Sequence, residues 1–143
     1  MKTGWSSTPF LSDMKRIITA LLMTATLLMT SCTEDSERIV GTWYASEMSL
    51  TVDGKTITTS LSDYNWEMVY LFYSDGKGAI IESISGVRTM KEFTWVLNGN
   101  SLTMTRENES STIPITLSNK ELSIVVDQEV NGKTHQATIY FYR

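Results

Sequence analysis

From Ile39 to the end of the chain, turn-forming clusters recur at intervals of 13 to 23 positions, and the segments between them alternate apolar and polar side chains. The turns are Asp53-Gly54-Lys55, Asp75-Gly76-Lys77-Gly78, Asn98-Gly99-Asn100, Ser118-Asn119-Lys120 and Asn131-Gly132-Lys133. Asp-Gly and Asn-Gly supply the positive φ that a tight hairpin requires, and a period of two gives a strand one apolar face. The pattern predicts strands near 40–52, 55–61, 66–73, 78–85, 88–97, 101–107, 111–117, 121–130 and 133–142, with a short turn or 3₁₀ piece in the 61–66 connection. One face collects Phe93, Trp95 and Leu97; others collect Leu102 and Met104, then Leu122, Ile124 and Val126, then Ala137, Ile139 and Phe141. Trp66, Met68, Tyr70 and Phe72 form a further stripe, with Val69, Leu71 and Tyr73 half covered behind it.

The expected fold is therefore all-β, an antiparallel up-and-down meander of eight or nine strands. Such a sheet has two edges to protect, and closing it into a barrel removes them. A two-layer sandwich is the alternative, although it needs long crossovers that the spacing does not show. Pro114, inside a strand pattern, marks an edge or bulge and a place of imperfect closure. At 143 residues the chain is one domain in size.

The first third reads as an address. Lys15 and Arg16 precede an uncharged, largely apolar run from Ile17 to Thr30, the pattern of a secretory signal. The run is too short to stay as a spanning helix. Met14-Lys15-Arg16 makes a better start than Met1, so either translation begins at Met14 or the signal carries a longer leading region. The run ends in Leu28-Met29-Thr30-Ser31-Cys32, which resembles a bacterial lipobox. The resemblance implies cleavage before Cys32 and lipidation of that residue, the only cysteine in the chain, because several acyl chains hold a protein to a bilayer where one does not. The chain then divides into a signal peptide (1–31), the lipidated Cys32 with an acidic tether (32–38), and a β-domain (39–143). Thr33, Glu34, Asp35, Ser36 and Glu37 serve as a solvated tether and are similar to the export tag of Bacteroidota surface lipoproteins. Localisation is thus the cell envelope, anchored in the outer membrane, facing either the periplasm or the outside.

The β-domain opens with Ile39-Val40-Gly41-Thr42-Trp43-Tyr44. A Gly-x-Trp at the start of the first strand is similar to the opening motif of lipocalin and calycin barrels. The aromatic strand before Ser74-Asp75-Gly76-Lys77-Gly78, then Phe93-Thr94-Trp95, then Asn98-Gly99-Asn100-Ser101-Leu102-Thr103 extend the resemblance to the small lipocalin-like lipoprotein domains of Bacteroidota. It implies that Gly41 lets the first strand bend across the barrel floor and that Trp43 plugs the closed end. An arginine then stacks on that ring, and Arg143 or Arg106 is available for the role. The reading of the residues alone makes Trp43 ordinary core and Arg143 a terminal charge.

Three function classes follow. The first is a barrel that binds a small hydrophobic ligand, lined by Trp66, Tyr70, Phe72, Phe93, Trp95, Met104 and Phe141; the same side chains can equally fill the interior. The second is a non-enzymatic interaction module that meets a cell-envelope protein through its outer face, where Tyr44, Tyr73, Tyr140 and Tyr142 project. The third, an enzyme, has no support: the one histidine, His135, has no nucleophile or acid–base partner readable from spacing, and no catalytic residues are assigned. One His and one Cys cannot build a multi-His or Cys-cluster metal centre, and no cofactor motif appears. A formal charge of -4 and a pI near 5.0 exclude a nucleic-acid footprint.

Overall fold

The computed structural model of the chain describes residues 34–143. The signal peptide, the start at Met14 and the lipidated Cys32 lie outside the described residues. Residues 34–39, from the expected tether into the start of the expected β-domain, form a short helix, with Arg38 paired to Asp35 at 3.3 Å.

Nine antiparallel strands follow in meander order: β1 (Gly41–Val52), β2 (Lys55–Ser60), β3 (Trp66–Phe72), β4 (Lys77–Ile84), β5 (Val87–Asn98), β6 (Ser101–Arg106), β7 (Glu109–Leu117), β8 (Glu121–Val130) and β9 (Lys133–Tyr142). A 3₁₀ turn at Leu61–Tyr64 joins β2 to β3. Each strand from β3 to β9 pairs with the next, and β9 pairs back to β1, so eight strands close a ring. The sandwich is thereby excluded. β2 is the extra strand and lies outside the ring's succession.

The closure depends on β1 having three partners. Its residues 41–44 pair with β3, 44–50 with β9 and 47–52 with β2. A bulge at Ser46 shifts the register between Ala45 and Glu47, and the Ser46 hydroxyl donates to the Tyr140 carbonyl at 3.2 Å. A bulge bends and over-twists its strand. Here the bend carries β1 away from β3, and β2 and the 3₁₀ turn occupy the space that opens, with Leu61 buried beneath.

Turn chemistry explains the hairpins. Asp53-Gly54, Ser85-Gly86, Glu107-Asn108 and Asn131-Gly132 all hold positive φ at both positions, as a two-residue hairpin turn requires. Two of these pairs, Ser85-Gly86 and Glu107-Asn108, were not among the predicted turn signals; the second contains no glycine. Lys77, expected in a turn, begins β4 instead, one residue before the predicted strand start at Gly78. A Cβ at Gly78 would lie 2.5 Å from the Leu71 carbonyl oxygen and inside the Phe93 ring, so only glycine lets that ring lie flat on the strand.

Most of the side chains placed inward by the predicted alternation fill the barrel, joined by Ile39 and Ile115, which no predicted stripe contained. Ile39, Trp43, Phe72, Leu102, Leu122 and Ile124 are sealed completely, and Phe141, Ile115, Phe93 and Ile139 are nearly so. The core lies toward one end, where β1 begins and β9 finishes. At the other end the wall is incomplete. Residues 87–93 of β5 extend past the last pair with β6, and β7 meets β8 only along 115–117. The second gap starts at Pro114. The Ile115 amide donates to Asn100 on the β6 side, so the preceding position faces β8, and a proline has no N–H to give there.

Candidate binding site

The closed end is built around Trp43. Its indole N–H donates to the Ile39 carbonyl at 2.8 Å, tying the first strand to the helical turn before it. The Arg143 guanidinium lies 4.5 Å above the ring centroid, donates to the Val40 carbonyl at 3.1 Å and to the Asn119 carbonyl at 2.7 Å. Gly41 adopts φ +136, a conformation L side chains rarely reach, and Arg143 passes 3.5 Å from where its Cβ would be. This fastening joins the first strand, the last residue and the β7–β8 turn. Arg106 sits at the far end of β6, exposed, and takes no part in it.

Above this floor the aromatic side chains pack against one another. Tyr70 and Phe141 have centroids 4.9 Å apart, and Phe72 meets both Phe93 and Trp95 at 5.6 Å, edge-on. The Trp95 indole donates to the Lys77 carbonyl at 2.9 Å. Of the seven side chains expected to line a ligand cavity, Tyr70, Phe72, Phe93, Trp95 and Phe141 therefore belong to this packed layer. Burial, and then the Glu82 carboxylate, push the Tyr70 phenol up to about 12.

The other two, Trp66 and Met104, stand at the level where the packing stops. With Met48, Ile80, Ile113 and Val126 they form a ring of partly buried apolar groups resting on the core. Strand register places all six on the inner surface, opposite or beside buried residues. An inward side chain in a closed barrel is accessible only where the barrel is open, so this ring marks the bottom of a shallow cup. Lys91, Ser111, Gln128 and His135 continue the same inward faces toward the rim and are exposed or half-exposed.

The most apolar recess lies under the 3₁₀ turn. It holds about 290 Å³ and is lined by Met48, Thr59, Leu61, Tyr64, Trp66 and Ile84, with almost no polar surface. Trp66 is held in place by a hydrogen bond from its indole N–H to Glu82 Oε1 at 2.8 Å. Met48, Thr59, Leu61 and Ile84 had no signal in the sequence. Their convergence depends on the Ser46 bulge and the detour through β2, neither of which has a period. The available hint was Tyr64, an aromatic residue in a turn. Among the described residues no three His, Cys, Asp or Glu side chains gather as a metal site.

A family model described as a lipocalin-like domain matches residues 39–124. Two solved structures share part of the path of the chain. One is a deswapped triple mutant of the bovine odorant binding protein, with 15% identity and a TM-score of 0.45 over 74% of each chain. The other is a siderocalin, Ex-FABP, described as functioning through dual ligand specificities, with 12% identity and a TM-score of 0.45 over 74% of each chain. No curated protein matches. With a family model covering more than half its length, and eight strands closed over a tryptophan floor, the chain belongs to the lipocalin-like family.

Proposed function

We propose that this protein is an envelope-anchored binding protein that takes a small hydrophobic molecule at the mouth of its barrel. The observation that carries the reading is the contrast between the sealed floor and the open apolar ring around Trp66 and Met104. A recess of about 290 Å³ stands at the lower limit of ligand pockets. Its ligand is thus a compact ring or a short alkyl chain, with any polar end directed toward Lys91, His135 and Gln128 at the rim. A long acyl chain finds no room below, because the aromatic layer fills the barrel.

The anchor rests on Leu28–Cys32 and on the acidic residues after it. Cleavage there leaves a lipid-bearing cysteine seven positions before Ile39, which keeps the closed end of the barrel next to the bilayer and turns the mouth outward. The proposed site is the outer membrane, where a ligand arriving from the aqueous side meets the cup first.

Two experiments test the two halves separately. Uptake of anilinonaphthalene sulfonate by the purified protein should be saturable, and Ile84→Asp should weaken it about tenfold or more, the effect of placing a charge in an apolar recess, with the circular dichroism unchanged. No uptake, or equal uptake by Ile84→Asp, contradicts the ligand reading. Metabolic labelling with a fatty acid should mark the native chain and not Cys32→Ser, which should leave the membrane fraction; equal labelling contradicts the anchor.

A further inference from the structure

A strand edge on β5 has no backbone partner among the described residues. β5 pairs with β4 from Val87 to Thr94, but its pairing with β6 begins only at Thr94. The Trp95 amide donates to Gly76 on the β4 side. Backbone groups alternate along a strand, so Arg88, Met90 and Glu92 present both N–H and C=O toward the other, open side. The edge is also apolar for its position: Val87 is 69% and Met90 63% exposed. A groove of about 600 Å³ runs beside it, lined by Met90, Lys91, Glu92, Arg106 and Glu107. Unpaired edges of this kind are templates for another strand.

We propose that two copies of the chain pair through this edge, β5 against β5, antiparallel about a two-fold axis centred on Met90. In that register Met90 faces Met90 of the second copy, and Arg88 faces Glu92 on both sides of it. The two-fold makes each complementary pair occur twice, as an isologous contact requires. The three facing positions are those whose backbone groups point outward, so the six free groups on each copy are satisfied together. Shifting the axis by one residue puts Lys91 opposite Lys91 in one direction and leaves Arg88 opposite Met90 in the other. Shifting it by two puts Arg88 against Arg88 or Glu92 against Glu92. Like charges directly opposite are unfavourable in a sheet, and of these registers only the one centred on Met90 forms the two Arg88–Glu92 pairs. Neither Arg88 nor Glu92 has an ion pair among the described residues, and each is therefore available. The groove past Glu92 takes the turn at Ser85-Gly86 of the second copy.

One strand pair buries less surface than a permanent dimer needs, so association falls in the range of roughly micromolar to millimolar. Sedimentation equilibrium of the purified protein in density-matched detergent reads it directly. The native chain should dimerise reversibly. Arg88→Glu and Glu92→Arg should each weaken the dimer about tenfold or more, because one substitution creates two like-charge pairs. The double variant Arg88→Glu, Glu92→Arg should restore native affinity to within about threefold, since it exchanges the pairs without changing their number. Met90→Pro should weaken it comparably. That substitution removes a donor facing the open edge and leaves the ladder to β4 intact, as proline at a sheet edge allows. A chain monomeric at every concentration overturns the proposal. So does a dimer indifferent to Arg88→Glu and Met90→Pro, or a double variant no tighter than the singles, which marks contact through another surface or partner.

Discussion

At its closed end the barrel is held by side chains from its first strand and the end of its last; at its mouth the same strands diverge. Trp43, from the first strand, is covered by Arg143, the last residue, and both are bonded to backbone carbonyls. At the mouth, β5 outruns β6, β7 parts from β8 after three pairs, and inward residues such as Met104 and Ile113 remain partly open. Both halves are made from one alternating pattern. The difference is that the floor contains large aromatic groups on neighbouring strands, whereas the upper inward positions are Lys91, Ser111, Gln128 and His135, which cannot seal a core. Enclosed packing is thus concentrated in one half, and the other half is left open.

If the floor carries the stability, Trp43→Ala should be the most damaging of these changes, by about 3–5 kcal/mol, since it empties the most enclosed large side chain. Urea unfolding of the purified variant measures it; a loss below about 1 kcal/mol would break the contrast between the two halves.

The next effect appears only in alkali. Tyr70 is buried between Phe93 and Phe141, and its phenol is raised from 10.0 to about 12. Above pH 10 the unfolded chain releases this proton while the folded chain still holds it. Stability is therefore unaffected below pH 10 and falls between pH 10 and 12. A shift of this size corresponds to about 2–3 kcal/mol at the upper limit of that window. Tyr70→Phe should remove this part of the alkaline slope; an identical slope would show that Tyr70 is not enclosed.

Smaller again is the fastening by Arg143. Arg143→Ala removes a cation–π contact and two bonds to carbonyls, and should lower stability by about 1–2 kcal/mol. Smallest is Met104→Ala, about 1 kcal/mol or less, because Met104 rests on the core without being enclosed by it. Thermal melts compare the two, and a larger effect at Met104 than at Arg143 would reverse the assignment of sealed and open halves.

The strand succession was legible because it is local. Alternation and the Asp-Gly and Asn-Gly turns placed nine strands within a residue or two of where they occur, and the inward stripes of β3, β5, β6, β8 and β9 followed from parity. Closure was legible only as a choice between barrel and sandwich, because it depends on β9 finding β1, a contact across 94 residues at Ser46 and Tyr140. Between eight and nine strands the sequence could not choose, since β2 has the same alternation as the ring strands. The recess was the least legible part. The aromatic residues that look like a lining are taken up by packing: Phe72 meets Trp95 edge-on and Phe141 lies against Tyr70. Those that do line it, Met48, Leu61, Tyr64 and Ile84, are brought together by a bulge and a 3₁₀ turn. Pro114 was the exception: a single residue without an amide hydrogen marks the slit in the wall.

The most direct measurement of the division between floor and mouth is a nuclear magnetic resonance titration of the protein with a short-chain fatty acid such as octanoate. Saturable shifts confined to Met48, Leu61, Tyr64, Trp66 and Ile84, with Trp43, Phe72, Trp95 and Phe141 unmoved, are the predicted result. Shifts centred on Phe72, Trp95 and Phe141 would mean that the aromatic layer opens to admit the ligand, and would contradict the sealed floor.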